Sequence, residues 1–561
     1  MKNPFSPTPR RFTGVSLIPV LLPLLLAVRL SAASYYLSST TGNDSNVGTS
    51  SAAPWKTITK VNTLNLAAGD RVYLKGGDSF TDAGLVFLAT DTGTAANPII
   101  VDSYGAGRAV VAPPNGQHAV NIYDTGGLTV RNLDLIGPGA ALSDATPRYG
   151  VSLYSDLTGG VRKAGLRFEN LAVTQFYNGI TIGASDSSYS GFQDVVITGC
   201  TVYACVSDGI TSYGYYPGTS IKQSHKNIQV LNTTVSECYG DPTLTAPTSG
   251  SGIVIAGTLG GLVDSCVAHD NGGGTNDTTG GGPVGIWCWG CDRVIIQHCL
   301  VYNQRTTPGC VDGGGFDVDG GATNCTVQYC YSYNNHGPGY EVIEFQGAPT
   351  LSNATVRYNI SYKDGRANEP SLSVWNGNTT AATCSNVKFY NNTVISNGAA
   401  NPVLKLITYS GPFTAKFYNN VLISGAASKF VDISYNTSSF VFKGNLYYAS
   451  DALPQWTWGA STYTTLAIWR TATGTPEVQS GAAVGLYGDP LLAEPVNGFA
   501  ATFISQLIGM TAFIPAVGSP IINAGRNLTT SAYGNIAVGS TDFKGAAIPN
   551  GSYDIGAYEK W

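Results

Sequence analysis

Short runs of alternating apolar and polar residues recur along most of this 561-residue chain. Each run is rich in β-branched or aromatic residues and is bounded by turns rich in Gly, Asn, Asp and Ser, which is the pattern of short β-strands. Eight of these runs begin at Gly150, Gly179, Gly209, Gly252, Gly285, Gly315, Gly339 and Ser371. Their spacing of roughly thirty residues is that of a repeat protein, so we predict that each repeat forms one coil of a parallel β-solenoid.

A second periodic position supports the same repeat. Successive strand-like segments end first in cysteine and later in asparagine, at Cys200, Cys266, Cys299, Cys330, Asn359, Asn392, Asn420 and Asn445. Counted from Cys266, the separations are 33, 31, 29, 33, 28 and 25 residues. We interpret this position as a column of small inward-pointing side chains, because buried cysteine behaves as a small hydrophobic residue and stacked asparagines can pair their amides.

Most of the cysteines in this column are predicted to be free thiols. Eleven is an odd number, so complete pairing is impossible, and four of the cysteines fall on the inward column. Cys288 and Cys291 form a single CxxC pair, whereas a zinc site with this spacing normally has a second pair. We therefore predict a structural role for them and no metal site.

Composition and the N-terminus narrow the functional classes. Charged residues make up 12% of the chain and the net charge is −5, which argues against a nucleic-acid partner. Residues 1–33 combine Lys2, Arg10 and Arg11 with an apolar run and a small-residue end, the pattern of a cleaved signal peptide, with a signal anchor as the alternative. We expect a secreted, periplasmic or cell-surface protein with no membrane span after signal removal.

The repeat also sets the predicted boundaries. A helical segment near residues 55–62 is expected to cover the first coil, which would otherwise expose unpaired strand edges. The repeat fades after Asn445, and the following sequence is rich in Gly, Ala and Pro. The predicted organisation is a signal peptide over 1–33, a β-helix with its N-terminal cap over 34–450, and a C-terminal capping region over 451–561.

Several segments resemble secreted bacterial right-handed parallel β-helix proteins of the pectin-lyase-like superfamily. They are Tyr35-Tyr-Leu-Ser, Gly42-Asn-Asp, Pro54-Trp-Lys-Thr and Gly69-Asp-Arg-Val-Tyr near the start, the glycine-rich segment 313–321, and Ser519-Pro-Ile-Ile-Asn-Ala-Gly525 and Asp554-Ile-Gly-Ala-Tyr-Glu559 near the end. The resemblance implies an all-β fold, a right-handed parallel β-helix (solenoid) with an N-terminal cap and a C-terminal capping region. It leaves the reaction open, because the superfamily includes lyases, hydrolases, epimerases and non-catalytic adhesive proteins.

The strand register converts the sequence into columns of outward-pointing side chains, because side chains along a strand alternate between two faces. One outward column comprises Thr181, Thr211, Val254, Trp287, Asp317, Glu341 and Ser373, and the column two residues further on comprises Tyr213, Ala256, Trp289, Asp319, Ile343 and Trp375. Sugar rings stack on aromatic faces, so Trp287, Trp289, Trp375 and Tyr213 predict a groove for a polysaccharide or oligosaccharide. The alternative is a solvated acidic strand whose aromatic residues only stabilise the stack of coils.

The acidic residues at the centre of these columns are the catalytic candidates. Neighbouring strands lie about 4.8 Å apart, so Asp317 and Glu341 suit a retaining glycosidase, whose two carboxyl groups are about 5–5.5 Å apart. Asp319 lies on the diagonal from Glu341 and would suit inversion. We hypothesise that Asp317 is the nucleophile, Glu341 the acid/base and Asp319 an orienting group. β-Helical β-xylosidases have a similar Asp and Glu on successive coils.

Other polar residues are predicted around the groove. Glu344 would take the place of Glu341 if a bulge shifted its strand by one residue. His336 and Asp312, each in a loop before an outward strand, are expected to contact substrate from the rim. Arg366 lies in a charged loop that either holds an acidic sugar or is simply exposed.

Three functions remain open at this stage. The first is a retaining glycoside hydrolase that requires no cofactor and acts as a monomer. The second is a Ca-dependent polysaccharide lyase in which Asp317, Asp319 and Glu341 bind Ca²⁺, although only Lys363 and Arg366 are available nearby as bases. The third is a non-catalytic surface solenoid that binds glycans.

Overall fold

The protein is described here by a computed structural model. The structure describes residues 32–139, 147–185, 189–215, 222–246, 248–278, 281–367, 369–378, 384–396, 398, 401–408, 412–425, 429–435, 437–449, 453–493 and 500–560. Most of the predicted signal peptide lies outside these ranges. Within them, no helix is long and apolar enough to cross a membrane.

The chain winds into a right-handed parallel β-helix, as predicted, and its described strands build three long sheets. Each coil passes through sheet 1, then sheet 2, then sheet 3. Sheet 1 contains Ser34–Leu37, Arg71–Lys75, Ile99–Tyr104, Leu128–Arg131, Arg162–Glu169, Gly191–Thr198, His225–Leu231, Thr258–Asp264, Asp292–Gln297, Thr326–Gln328, Leu351–Ser352, Thr355–Arg357, Cys384–Tyr390, Phe413–Tyr418 and Phe440–Lys443. Sheet 2 contains Ser79–Phe80, Ala109–Val111, Leu133–Ile136, Ala172–Thr174, Thr201–Tyr203, Thr234–Ser236, Val267–His269, Leu300–Tyr302, Tyr331–Tyr333, Ile360–Tyr362, Thr393–Ile395, Val421–Ser424, Leu446–Ala449 and Leu486–Tyr487.

Sheet 3 carries the outward columns that the sequence singled out. Its strands are Leu85–Phe87, Val120–Tyr123, Tyr149–Ser155, Asn178–Ala184, Ile210–Tyr213, Ile253–Ala256, Val284–Trp289, Gly314–Val318, Tyr340–Glu344, Leu372–Asn376, Leu404–Thr408, Val431–Ile433, Trp456–Trp458 and Ser461–Tyr463. All its pairings are parallel except the last, in which Ser461–Tyr463 runs antiparallel to Trp456–Trp458.

The core is a stack of side chains in register, one layer per coil. On sheet 3, Ile286 pairs with Phe316, Phe316 with Tyr340 and Tyr340 with Leu372. These four side chains are at most 1% exposed. The rings of Phe316 and Tyr340 stack with their centroids 5.2 Å apart. Because these residues point inward, their immediate neighbours along each strand point outward.

The corner between sheets 1 and 2 explains the column of cysteine and asparagine. His298, with φ of 49°, precedes Cys299, and Asn391, with φ of 53°, precedes Asn392. A left-handed residue turns the chain sharply, and the next residue then points into the interior. The predicted column is confirmed, since its members are at most 2% exposed: Cys200, Cys266, Cys299, Cys330, Asn359, Asn392, Asn420 and Asn445. All eleven cysteines lie in the described residues and are free thiols.

Short helices and loops cover the two ends. The helix Ile58–Val61 is capped by the Thr57 side chain and buries Ile58 against the first coils. At the other end, the helix Leu466–Thr473 buries Trp469 against Trp456, with ring centroids 5.8 Å apart. The helix Ile504–Ile508 and the 3₁₀ helices Thr437–Ser439 and Ser531–Tyr533 complete the described helices. Parallel pairing continues past residue 450, through Trp456–Trp458 and Leu486–Tyr487.

Candidate functional site

The first outward column of sheet 3 is continuous in the structure. Cα partners run from Thr181 to Thr211, Val254, Trp287, Asp317, Glu341 and Ser373, and then on to Lys405 and Asp432. The sequence had assigned the column up to Ser373. The structure extends it by two coils, and Lys405 thereby joins the same line of side chains as the two central carboxyl groups.

Asp317 and Glu341 face each other on adjacent strands. They are direct Cα partners, so their backbones are one strand spacing apart, about 4.8 Å. Both side chains are only 2% exposed. Within the described residues, Oδ1 of Asp317 and Oε1 of Glu341 are buried without a hydrogen-bond partner. Buried polar atoms are nearly always paired because leaving them unpaired is costly, so these two oxygens make the pair a candidate site for a ligand.

The local backbone makes room for these carboxyl groups. A Cβ atom on Gly314 would lie 2.6 Å from Oε1 of Glu341, so a larger residue there would displace the Glu341 side chain. At the other end of this strand, the N–H of Asp319 donates to the carbonyl of Cys288 on the preceding coil, at 2.8 Å. The glycine at the start and this hydrogen bond at the end fix the acidic strand, Gly314–Val318, between its neighbours.

Burial raises the pKa of both central carboxyl groups well above the usual range. For Asp317, the negative charges of Asp319, Glu341 and Asp312 add to the effect of burial. For Glu341, the added charges are those of Asp312, Glu369 and Asp319. Two carboxyl groups this close do not both ionise readily, so the raised pKa values favour a protonated carboxyl group in this pair.

Two further acids belong to the same cluster. Asp312 and Asp319 are half-buried. Burial raises the pKa of Asp312 to about 8, with further contributions from Asp319, Glu369 and Asp277. Burial also raises the pKa of Asp319 to about 7. The predicted rim residue Asp312 therefore acts electrostatically on Glu341 itself.

Glu344 does not replace Glu341. The strand Tyr340–Glu344 pairs with Leu372–Asn376 in an unbroken register, Glu341 with Ser373 and Glu344 with Asn376. The alternative of a bulge, which the sequence left open, is therefore wrong. Glu344 lies on the opposite face of the strand from Glu341. Its side chain is fully buried, and burial, together with the charge of Asp319, raises its pKa to about 8.

The aromatic residues predicted to bind substrate flank the acids on sheet 3. Trp287 pairs with Asp317, and its indole N–H donates to Oγ of Ser251 at 3.1 Å. Trp289 lies edge-on to Phe345, with ring centroids 6.4 Å apart. Trp287, Trp289 and Trp375 are all partly exposed. A partly exposed indole ring can stack on a sugar ring.

Tyr213 lies further from the acids than the tryptophans. Its ring covers Gly183 on the preceding coil, where a Cβ atom would approach the ring to 2.5 Å. Burial raises the pKa of the Tyr213 hydroxyl, and Tyr149 and Tyr154 contribute. Tyr213 thus belongs to a group of tyrosines several coils before the acidic strand.

His336 and Arg366 lie together in neighbouring loops. Nδ1 of His336 is 3.2 Å from both the backbone N and the carbonyl of Thr306. Arg366 is exposed and donates to the carbonyl of Asn334 at 3.3 Å. Burial lowers the pKa of His336, and the positive charge of Arg366 lowers it further. His336 thus lies in the loop that precedes the Glu341 strand, and Arg366 contacts the same loop. Their role in binding remains a prediction.

Three charged residues near the acids were not identified from the sequence. Glu369 and Asp277 come from loops whose sequence carries no periodic signal, and only the fold brings them close enough to raise the pKa of Asp312. Lys405 could have been identified from the repeat. Extending the alignment by one more coil places it in the outward column, two positions beyond Glu341. Lys405 counteracts the effect of burial on the pKa of Glu369.

The arrangement supports acid/base and nucleophilic chemistry on a ligand that lies along sheet 3. It supplies two opposed carboxyl groups, nearby acids that keep a proton on the pair, and indole rings on the preceding and following coils. Carboxylate oxygens are also ligands for Ca²⁺, and Asp312, Asp317, Asp319 and Glu341 offer them. Both hydrolytic and metal-assisted chemistry are therefore compatible with this set of residues.

A comparison with known protein families agrees with the fold. Residues 115–356, which include Asp317 and Glu341, match the family described as a right handed beta helix region. Solved structures similar to the chain include a GH136 lacto-N-biosidase from Eubacterium ramulus, with 21% identity, coverage of 68% of this chain and 67% of that one, and a TM-score of 0.49. The complex of XylC with xylose is another, with 11% identity, coverage of 94% of this chain and 98% of that one, and a TM-score of 0.47.

A curated relative is similar in sequence. The chain is 28% identical over 428 residues to a lacto-N-biosidase from Bifidobacterium longum subsp. longum, a match that covers 60% of this chain and 26% of the relative. The chain therefore spans about a quarter of the length of that relative.

Proposed function

We propose that the protein is a glycoside hydrolase that cleaves an oligosaccharide or polysaccharide bound along the outer face of sheet 3. The observation that carries this proposal is the pairing of Asp317 with Glu341 on adjacent strands, each with a buried carboxyl oxygen that has no hydrogen-bond partner within the described residues. A sugar hydroxyl or a glycosidic oxygen would supply the missing partners. The flanking Trp287 and Trp289 would then stack on the sugar rings.

In the proposed reaction, Asp317 attacks the anomeric carbon while Glu341 gives its proton to the leaving oxygen. The glycosidic bond breaks and a glycosyl ester forms on Asp317. Glu341, now ionised, takes a proton from water, which attacks the ester and restores both carboxyl groups. The raised pKa of Glu341 favours the protonated state that the first step needs. The short strand spacing supports this retaining course.

The sequence relative supports the reaction class and suggests a substrate. Its name, lacto-N-biosidase, designates a glycosidase and identifies lacto-N-biose as the sugar unit. We propose a glycan that contains lacto-N-biose or a related disaccharide as the first substrate to test. The proposal also includes export of the chain, which the pattern of residues 1–33 supports, and action as a monomer.

The test compares two variants on an aryl lacto-N-bioside and on the natural oligosaccharide. Asp317→Ala is expected to be inactive on both, because no glycosyl ester can form. Glu341→Ala is expected to be slow on the natural substrate yet to be restored partly by azide on the aryl glycoside, whose leaving group needs no proton. Proton NMR of the first product should show the retained anomer. Inversion would assign the base role to Asp319, and full activity of both variants would overturn the site.

A Ca-dependent lyase is the second candidate, and the acid cluster with Lys405 in its column favours it. Four carboxyl groups would bind the cation, and a lysine would abstract a proton beside a uronate carboxylate. The same preparations, assayed with EDTA and with Ca²⁺ on uronate polymers, distinguish the two. Unsaturated products that disappear with EDTA would establish the lyase, whereas EDTA-resistant release of a reducing sugar supports the hydrolase.

A further inference from the structure

Three cysteines converge inside the solenoid directly behind the candidate site. Cys288 lies on the strand Val284–Trp289, Cys291 in the turn that follows, and Cys325 directly before the strand Thr326–Gln328 of the next coil. Their sulfur atoms all lie within 4.8 Å of one another, and Sγ of Cys291 is 3.5 Å from Sγ of Cys325. The three side chains are at most 1% exposed.

These cysteines differ from the others that line the core. In the corner column, the sulfur of Cys299 donates to the carbonyl of Gln297 at 3.0 Å, and that of Cys330 donates to the carbonyl of Gln328 at 3.2 Å. Cys266, Cys299 and Cys330 follow one another at the same position of three successive coils. Cys288, Cys291 and Cys325 instead come from three different positions of two coils and meet around one point.

We propose that Cys288, Cys291 and Cys325 bind one thiophilic d¹⁰ cation, Zn²⁺ or Cu⁺. Three sulfur atoms that each lie about 2.3 Å from a common metal are about 4 Å apart, which matches the spacing of this cluster. Thiolates select these soft cations over Ca²⁺ and Mg²⁺. The sequence favoured a structural interpretation because a second CxxC pair was absent; the fold supplies a third ligand from the next coil instead.

The position of the cluster links it to the strand that carries the acids. The carbonyl of Cys288 accepts the N–H of Asp319, and the carbonyl of Cys291 accepts the N–H of Thr323, both at 2.8 Å. A cation shared by the three sulfurs would therefore tie the coil that carries the acidic strand to the coil before it. Because metal binding by buried thiolates is coupled to folding, the cation would enter as the coils assemble.

The test measures the metal content of the full-length protein produced in media supplemented with zinc or with copper, after an EDTA wash. About one equivalent of Zn²⁺ or Cu⁺ per chain is expected, and the two media distinguish the two cations. Protein produced with Cd²⁺ should show a sulfur-to-cadmium charge-transfer band. Cys325→Ala should lose at least nine tenths of the metal and the band. The control variant Cys299→Ala removes an equally buried thiol outside the cluster and should retain both.

Three results would overturn the proposal. One is wild-type protein that contains neither metal from either medium and shows no cadmium band. Another is a Cys325→Ala variant that keeps its metal. The third is a thiol count in denaturant that is two short, which would reveal a disulfide in this cluster. If Cys325→Ala does not accumulate, Cys291→Ser replaces it, and the wild-type measurement remains decisive by itself.

Discussion

Two columns that contain buried polar residues run along the same solenoid, and they differ in how completely these residues are hydrogen-bonded. In the corner column, Oδ1 of Asn420 accepts from the backbone N–H and the side-chain amide of Asn392, and the side-chain amide of Asn420 donates to Asn445 and to the carbonyl of Phe389. The ladder ends on the buried carboxyl group of Glu477. In the outward column of sheet 3, the opposed carboxyl groups of Asp317 and Glu341 each leave an oxygen unpaired among the described residues.

The difference separates stability from function. Both columns bury polar side chains almost completely, Asn392, Asn420 and Asn445 at the corner and Asp317 and Glu341 on sheet 3. A buried amide whose donors and acceptor are all paired contributes to stability, whereas an unpaired buried carboxyl oxygen reduces it. A polar position that is costly for folding indicates a role in binding or catalysis, and the acids of sheet 3 meet that criterion.

The largest expected effect comes from replacing the two opposed carboxyl groups of the outward column with amides. Asp317→Asn and Glu341→Gln keep the shape of the side chains but remove the nucleophile and the proton donor. We expect each to lower kcat by at least about a thousandfold, with the thermal midpoint unchanged or raised because a costly buried acid is gone. Steady-state kinetics and calorimetry on the same samples check this. An active variant with a lower midpoint would reverse the comparison.

The second effect is on stability and concerns the corner column. Asn420→Ala leaves the N–H groups of Asn392 without their acceptor, and we expect it to lower the free energy of unfolding by about 3 kcal/mol. Cys299→Ala removes only a weak sulfur hydrogen bond from the same position of another coil, and we expect a loss of about 1 kcal/mol. Denaturant unfolding measures both. Equal losses would show that the asparagine ladder adds nothing beyond packing.

The third effect is the pH dependence of stability. The pKa is raised to about 7 for Asp319 and to about 8 for Asp312 and Glu344, so the folded state binds more protons than the unfolded state between about pH 4 and pH 8. The contribution of these groups to the free energy of unfolding should therefore be largest below about pH 4. It should fall as the pH rises to about 8.

Thermal midpoints across this range measure the effect, with Asp312→Asn as the matched variant. Its midpoints should fall less steeply with pH than those of the wild type. A wild-type profile that rises from pH 4 to pH 8 would contradict the contribution of the acid cluster.

The smallest expected effect concerns the tryptophan of the outward column. Trp287 is partly exposed and makes one side-chain hydrogen bond, to Ser251. Trp287→Ala should weaken oligosaccharide binding by about tenfold, the contribution of one aromatic stacking partner, and lower the thermal midpoint by only a few degrees. Isothermal titration and calorimetry check this. A large drop in the midpoint with unchanged affinity would identify Trp287 as a residue of the core.

The alternation of side chains made much of the site predictable. Because the period of a strand is two, fixing Phe316 and Tyr340 as inward residues also fixed Asp317 and Glu341 as outward ones. The same rule allowed a bulge at Glu344, since a single sequence does not show whether a register is continuous. Glu369 was not predictable because it lies in a loop, and loops follow no period. The position of the Glu369 charge depends on the coil that precedes this loop.

The pattern of residues was enough to predict the coil period, the inward and outward faces of sheet 3, and the column of Cys299 and Asn420, because these depend on local alternation and on one repeated corner. The charges that act on Glu341 and the thiols that meet Cys288 could be identified only from the folded protein. Those contacts join loops and corners of different coils, and their distances depend on how each coil is stacked on the next. Stacking is a property of the whole solenoid, so no single repeat encodes it.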